Sequence, residues 1–230
     1  MRAVAAAAAA GAAAAWSAPA LAPVVPPLAR ALRVALRRPG APGVLLTFDD
    51  GPHPEGTPAV LEALRAGGAQ ATFFLVGEQV ERYPALAAEI VAAGHGVAVH
   101  GYRHRCLLRV TPPGLRYDLD RAAAVIASAT GRRPALHRAP LGIYSPVALR
   151  EVRRRGWDPL LWSRWGRDWT ARATPESIAR TVTGDVRSGD VLLLHDADHY
   201  SAPGSHERTA AALPRVLEEL ERRGLETVGS

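Results

Sequence analysis

Residues 45–54 read LLTFDDGPHP, and the interpretation of the whole chain starts from this stretch. An apolar run ends in two adjacent carboxylates, Asp49 and Asp50, and a Gly-Pro turn follows them. Adjacent side chains point to opposite faces within a strand, whereas at a strand end, where the backbone turns, both can reach one site. Burying two carboxylates costs several kcal/mol unless a metal or a partner compensates. The stretch therefore predicts a buried strand that ends in a functional site, with a structural role as the alternative.

Short apolar runs alternate with helical segments from residue 43 onward. Pro in a first turn or Gly after a last turn marks the helix ends, as at Thr57-Pro58, Gly131 and Thr174-Pro175. Six helices between seven strands predict βαβ units and a parallel sheet, either doubly wound or closed as a barrel. The predicted strands are residues 44–48, 71–76, 97–99, 135–137, 160–162, 191–194 and 225–228.

Ionisable residues fall at the carboxyl ends of several predicted strands. In parallel α/β folds this edge of the sheet is where binding and catalytic sites form. So many ionisable groups on one rim would be an unusual way to build a core, and they predict an active site there. The residues are Asp49, Asp50, His100, Arg138, His195 and Asp196.

Two histidines in the stretch HGYRH, His100 and His104, have the spacing of a metal-ligand pair. On a helical turn this i, i+4 spacing puts both imidazoles on one side. Such a pair occurs by chance on many surfaces, but with one aspartate it makes a facial triad that leaves coordination positions open. Divalent zinc, cobalt, nickel or iron would fit. The second aspartate is then free to act as a base on a water molecule that the metal activates.

Three further residues complete the candidate site. His195 ends the run GDVLLL and predicts a general acid on the side opposite the base, with a buried core histidine as the alternative. Arg138 and Asp168 are interpreted as residues that hold a carboxylate ionised or a histidine protonated. Taken alone, each of these two would be a surface charge.

The composition describes a globular protein of 230 residues with a net charge of +6. A basic chain suits a polyanionic partner, but its arginines are scattered and no nucleic-acid motif accompanies them. We therefore expect no nucleic-acid partner, and a solvated arginine-rich surface explains the charge.

The first 40 residues differ in composition from those that follow. Residues 1–40 are rich in Ala and Pro and predict a signal-like or anchor segment with a basic linker, cut after Ala20 or Ala22 if it is a signal. If the segment is retained, its arginines between 30 and 38 favour a cytoplasmic domain and an N-terminal membrane association. We expect export or an envelope location, and residues 41–230 as the catalytic domain.

Taken together, residues 44–228 resemble the polysaccharide deacetylases of carbohydrate esterase family 4, the NodB-homology group. TFDDGP at residues 47–52 matches the first family motif in full. The other four motifs are matched by His100 and His104; by Arg138, Pro140 and Gly142; by Asp168 and Trp169; and by Leu193 and His195.

The resemblance implies a role for each matching residue. Asp49 is the expected general base, and Asp50 is the expected metal ligand with the two histidines. Arg138 orients the base, and His195 is the general acid, tuned by Asp168. The expected substrate contacts are Leu141 through its backbone N–H, Trp169 as an apolar wall, Leu193 in the acetyl-methyl pocket, and Pro140.

The resemblance also implies the fold and the activity. The fold is a distorted (β/α)7 barrel with parallel strands and the site at the strand C-terminal ends. The activity is metal-dependent removal of N-acetyl groups from a glycan such as peptidoglycan or chitin oligomers, with zinc as the first choice of metal and a monomeric protein. The alternatives are a non-hydrolytic carbohydrate-binding protein of the same fold and a deacetylase of a small acetylated amine.

Three positions depart from the family pattern. Gly101 stands where the family has a Ser or Thr that hydrogen-bonds within the second motif, so we expect a looser loop there. Leu141 replaces a common Tyr, although a backbone N–H can keep its role. Trp165 stands where many members have an additional Asp. None of these changes removes a ligand, base or acid, so we still expect activity.

Overall fold

A parallel β-sheet organises the chain in this computed structural model, which describes residues 2–229 and the side chains of residues 10–229. Within those residues the seven strands pair in the order β5-β4-β3-β2-β1-β7-β6, and the sheet stays open between β5 and β6. The predicted distorted (β/α)7 barrel is confirmed. The strands are β1 Leu45–Asp49, β2 Thr72–Leu75, β3 Gly96–Val99, β4 Leu136–His137, β5 Asp158–Pro159, β6 Arg164–Trp165 and β7 Val191–His195.

Strand β1 lies at the centre of the sheet, and all five of its residues are buried. Parallel sheets are covered on both faces, which is why this strand reads as an almost continuous apolar run. Its last residue, Asp49, pairs in register with Phe74 of β2 and His195 of β7. The register therefore places the end of the TFDDGP motif beside the end of the strand that carries the expected general acid.

Helices cover the outside of the sheet. Thr174 caps one of them with a reciprocal capping box, and Gly131 ends another in the left-handed conformation, as the sequence predicts. The helices are α1 Arg2–Ser17, α2 Pro26–Ala31, α3 Gly56–Ala66, α4 Gly77–Arg82, α5 Pro84–Ala92, α6 Pro112–Thr130, α7 Pro146–Arg154, α8 Pro175–Thr183 and α9 Ser205–Arg222. None of them is both long and apolar enough to cross a bilayer.

Two of the predicted strands are wrong in position or existence. The run at 160–162 follows strand β5 instead of forming it, and residues 225–228 contribute only a single bridge, between Thr227 and Val44. Strand β6, Arg164–Trp165, was not predicted, because a two-residue strand of Arg and Trp has no apolar run. The sequence predicts seven strands and the structure has seven, but two of the predicted segments are not among them.

Part of the segment expected to be a linker lies against the barrel. Ala29 and Val34 are buried in the core. The N–H of Ala35 donates to the carbonyl of Pro159, and Arg37 forms an ion pair with the buried Asp190. These contacts show that the chain before residue 40 covers part of the sheet. The division between a leader and a catalytic domain at residue 40 stays a prediction.

Candidate active site

The two aspartates of the TFDDGP motif reach the same site because the backbone turns between them. Asp49 is the last residue of β1, and Asp50 follows with a φ of 80°, in the left-handed region. Both side chains are buried, with 3% of each residue exposed. A turn at the strand end therefore overcomes the alternation of side chains that a continuing strand would impose.

Asp49 is held by a buried arginine. A terminal nitrogen of Arg138, Nη1, donates to Asp49 Oδ1 at 2.6 Å and to the hydroxyl of Thr47 at 2.9 Å. The other terminal nitrogen donates to the carbonyl of Leu161 at 2.9 Å, and the guanidinium lies 3.9 Å from the ring centre of Phe74. One oxygen of Asp49 is thus fixed in position, and the other, Oδ2, faces His100.

Asp50 and the two histidines of HGYRH converge on one point. Asp50 Oδ1 lies 3.4 Å from Nε2 of His100 and 3.4 Å from Nε2 of His104, and it has no hydrogen-bond partner. His100 Nδ1 lies 3.0 Å from the carbonyl oxygen of Arg138, which accepts only from a protonated nitrogen. The lone pair of His100 is therefore on Nε2, directed at the cluster.

The charges of this cluster also suit a metal ion. Burial disfavours the ionised form of Asp50, but the close approach of His100 and the potential of His195 and His104 lower its pKa to about 2. Burial lowers the pKa of His104 to about 4, so its imidazole is neutral at neutral pH. An ionised carboxylate with an unpartnered oxygen, beside two imidazoles, is the donor set of a divalent cation. The three residues fit the expected metal.

The local structure of HGYRH differs from the expectation. Residues 100–104 form a bend without helical hydrogen bonds, so the predicted helical turn is wrong. His100 and His104 still come together because Gly101, with a φ of 85°, turns the chain just after strand β3. The two imidazole ring centres lie 5.4 Å apart.

A second histidine–carboxylate pair faces this cluster. His195 Nδ1 lies 3.0 Å from Asp168 Oδ1, and the backbone N–H of His195 donates to Asp168 Oδ2 at 2.6 Å. Asp168 is fully buried and also accepts from the hydroxyl of Thr209 at 2.9 Å. Burial lowers the pKa of His195, but Asp168, with Asp50 and Asp49, raises it to about 10. His195 is therefore protonated at neutral pH.

The cluster of Asp50, His100 and His104 lines one cavity of about 250 Å³ together with Asp49 and His195. Leu141, Trp169 and Leu193 line it, as expected from the sequence, whereas Pro140 is buried beside it and does not line it. Leu141 has a φ of 61°, which turns its backbone while its side chain stays exposed. The cavity is lined by Asp49, Asp50, His100, His104, Leu141, Gly142, Trp162, Trp165, Trp169, Leu193, His195, Tyr200 and Ser201.

The loop after β7 supplies a further wall of the cavity. The ring of Tyr200 stacks on His104, with ring centres 4.2 Å apart, and its hydroxyl donates to Glu78 at 2.9 Å. Asp198 anchors the loop by accepting from the N–H of Gly204 at 2.7 Å. The polar composition of residues 196–205 is typical of a loop, but no local pattern shows which of its residues turns toward the cavity.

Comparisons with known proteins identify the family. The sequence profile described as polysaccharide deacetylase matches residues 37–160, somewhat more than half of the chain. The chain belongs to the polysaccharide deacetylase family. A chitooligosaccharide deacetylase from Azorhizobium caulinodans is 35% identical over 188 residues, which cover 79% of this chain and 89% of that protein.

Two further polysaccharide deacetylases show the same relationship. A peptidoglycan-N-acetylglucosamine deacetylase from Bacillus cereus is 33% identical over 183 residues, covering 79% of this chain and 83% of that protein. A crystal structure of a peptidoglycan N-acetylglucosamine deacetylase superposes with a TM-score of 0.79 at 28% identity, covering 86% of this chain and 90% of that one. Sequence and fold therefore agree on a hydrolytic deacetylase.

Proposed function

We propose that this polysaccharide deacetylase hydrolyses the acetamide of an N-acetylglucosamine glycan, with Asp49 as the general base and His195 as the general acid. One observation carries the proposal. The metal-ligand cluster of Asp50, His100 and His104 shares a single cavity with two buried pairs, Asp49 with Arg138 and His195 with Asp168. A protein that only binds a glycan has no use for all of these groups.

Asp49 is suited to accept the proton of the attacking water. Arg138 fixes its Oδ1, which leaves Oδ2 directed into the cluster, 3.7 Å from His100 Nε2. Asp50, in contrast, offers an oxygen without a hydrogen-bond partner to both histidines. This asymmetry supports Asp49 as the base and Asp50 as the ligand, the same assignment that the family resemblance implies.

A divalent cation held by Asp50, His100 and His104 would polarise the acetamide carbonyl and lower the pKa of water. The chain itself contributes Leu141, which lines the cavity and whose N–H would donate to the developing oxyanion. Leu193 and Trp169 enclose the acetyl methyl group. These residues orient the amide so that water attacks its carbonyl carbon.

His195 completes the reaction from the other side of the cavity. Its Nδ1 is bonded to Asp168, so Nε2 is the nitrogen that carries the transferable proton. When the C–N bond breaks, this proton goes to the leaving amine, and acetate is the second product. Asp49 then releases its proton to solvent and His195 takes one up, which restores both groups for the next turnover.

The substrate is inferred from the relatives by analogy, and the metal from its proposed ligands. The relatives are named for chitooligosaccharides and for the N-acetylglucosamine of peptidoglycan. The sugar common to both names favours an N-acetylglucosamine glycan for this chain, and imidazole with carboxylate ligands favours zinc. We further propose a monomer that is exported to the cell envelope, with a leader within residues 1–40 and the catalytic domain in residues 41–230.

An acetate-release screen tests this proposal. The purified protein with zinc is given chitin oligomers, peptidoglycan, another acetylated polymer and a small acetylated amine. We expect acetate from one or both N-acetylglucosamine substrates and little from the small amine, which has less surface to pack against the exposed walls formed by Leu141 and Tyr200. A His195→Ala variant prepared in parallel controls for contaminating esterases. Glycan binding without acetate from any substrate would overturn the proposal.

A further inference from the structure

The loop that joins the two histidine ligands is held on both sides of its backbone. The carbonyl oxygens of Gly101 and Tyr102 accept from the N–H groups of Gly77 and Glu78, at the start of α4, each at 2.9 Å. The loop amides face the other way, toward helix α6. There, Asp118 Oδ1 accepts from the N–H of Tyr102 at 2.8 Å.

The second oxygen of Asp118 also accepts a hydrogen bond from the backbone of the loop. Asp118 Oδ2 accepts from the N–H of Arg103 at 3.2 Å. Asp118 is buried, with 3% of its surface exposed, and its nearest cation is the half-exposed Arg105, with Nη2 at 3.4 Å. Because a buried carboxylate is costly unless its oxygens are satisfied, this side chain is best explained by the two backbone donors that it satisfies.

Gly101 fits closely into the same arrangement. A Cβ at this position would lie 3.1 Å from the carbonyl oxygen of Arg103 and 3.2 Å from Asp118 Oδ1, at a φ of 85°. The loop and the carboxylate thus approach each other in a way that a side chain at residue 101 would disturb. We expected this loop to be loose because residue 101 is not a Ser or Thr. Instead, Asp118 of helix α6 holds its backbone through two hydrogen bonds.

We propose that Asp118 is the positioning residue that sets the spacing of His100 and His104, and that metal affinity depends on it. The two ligands are separated by three residues in a bend with no helical hydrogen bonds, so the backbone between them decides where both imidazoles point. Groups that orient metal ligands from outside commonly change metal affinity by about 10–100-fold when they are removed. This inference rests on the proposed metal site.

Replacing Asp118 with Asn tests the inference. The side-chain amide keeps one acceptor for the two backbone N–H groups, so one of them is left unpaired. We expect at least about tenfold weaker zinc binding, measured by competition with a chelator on the metal-free protein, and an altered visible spectrum of the cobalt-loaded protein. A role in overall stability alone would change neither the affinity nor the spectrum of the folded variant.

Asp120→Asn is the matched control. It makes the same chemical change on the same helix. However, Asp120 is exposed and pairs with Arg155 instead of with the loop. We expect wild-type zinc affinity for it. A folded Asp118→Asn variant with wild-type zinc affinity and cobalt spectrum would overturn the inference.

If Asp118→Asn does not fold, a substitution in the loop itself tests the inference. Gly101→Ala introduces the crowded Cβ without changing helix α6 and is expected to weaken zinc binding as well; wild-type affinity in this variant would overturn the inference. Failure of the wild-type protein itself to bind zinc or cobalt is a separate result, and it would count against the proposed metal site.

Discussion

Replacing Asp49 with Asn is expected to lower the turnover number by about 10²–10⁴-fold while the protein still binds one equivalent of zinc. The amide cannot accept the proton of the attacking water. The metal ligands are untouched, because Asp49 Oδ1 is committed to Arg138 and the cluster is built on Asp50. Acetate release and metal content, measured on the same zinc-loaded sample, check both halves of the expectation.

Asp50→Asn is the matched comparison, since it makes the same change one residue away. It removes the ionised ligand from His100 and His104, so zinc binding and turnover should be lost together. The reverse pattern, with metal lost on replacing Asp49 and kept on replacing Asp50, would exchange the two assignments. Unimpaired turnover in the Asp49→Asn variant would remove the general base altogether.

Replacing Asp168 with Asn is expected to move the alkaline limb of the activity profile to lower pH by about 1–3 units. As the proposed general acid, His195 works only while it is protonated, so activity should be lost as the pH rises through its pKa. Burial lowers that pKa, and the carboxylates, Asp168 foremost, raise it to about 10. A metal ion bound beside Asp50 would offset part of the negative potential of the carboxylates and so lower the pKa of His195. We therefore expect the alkaline limb of the metal-loaded enzyme at or below pH 10.

The profile of kcat against pH is the measurement for this variant. Removing the charge of Asp168 leaves burial as the dominant influence, and the pKa of His195 must fall. Asp185→Asn is a suitable control, because Asp185 is fully exposed and its nearest cation, Arg164, is 3.8 Å away. An alkaline limb that stays in place in the Asp168→Asn variant would show that His195 is not the acid.

The sequence predicts the parts of the site that follow directly from strand ends. Asp49, Asp50 and His195 each come at the end of an apolar run, and parallel strands bring such ends to one rim. Arg138 follows the short strand β4 and could be placed in the same way. For these residues, the local hydrophobic pattern and the geometry of a parallel sheet are sufficient to predict that they lie at the site.

What the sequence does not predict depends on contacts between distant segments. Asp118 lies on a helix with the ordinary pattern of an amphipathic surface, and only the fold shows that its carboxylate meets the loop after β3. Tyr200 lies in a polar loop with no periodicity to orient it. The spacing of His100 and His104 suggested a helix, but a glycine-dependent bend gives the same convergence.

The most direct test of the metal-dependent deacetylase is the acetate released from N-acetylglucosamine oligomers by protein stripped of metal and then reloaded with zinc. The arrangement of Asp50, His100 and His104 predicts that stripping abolishes acetate release and that one equivalent of zinc restores it. Full acetate release from a sample shown to be free of metal would contradict it.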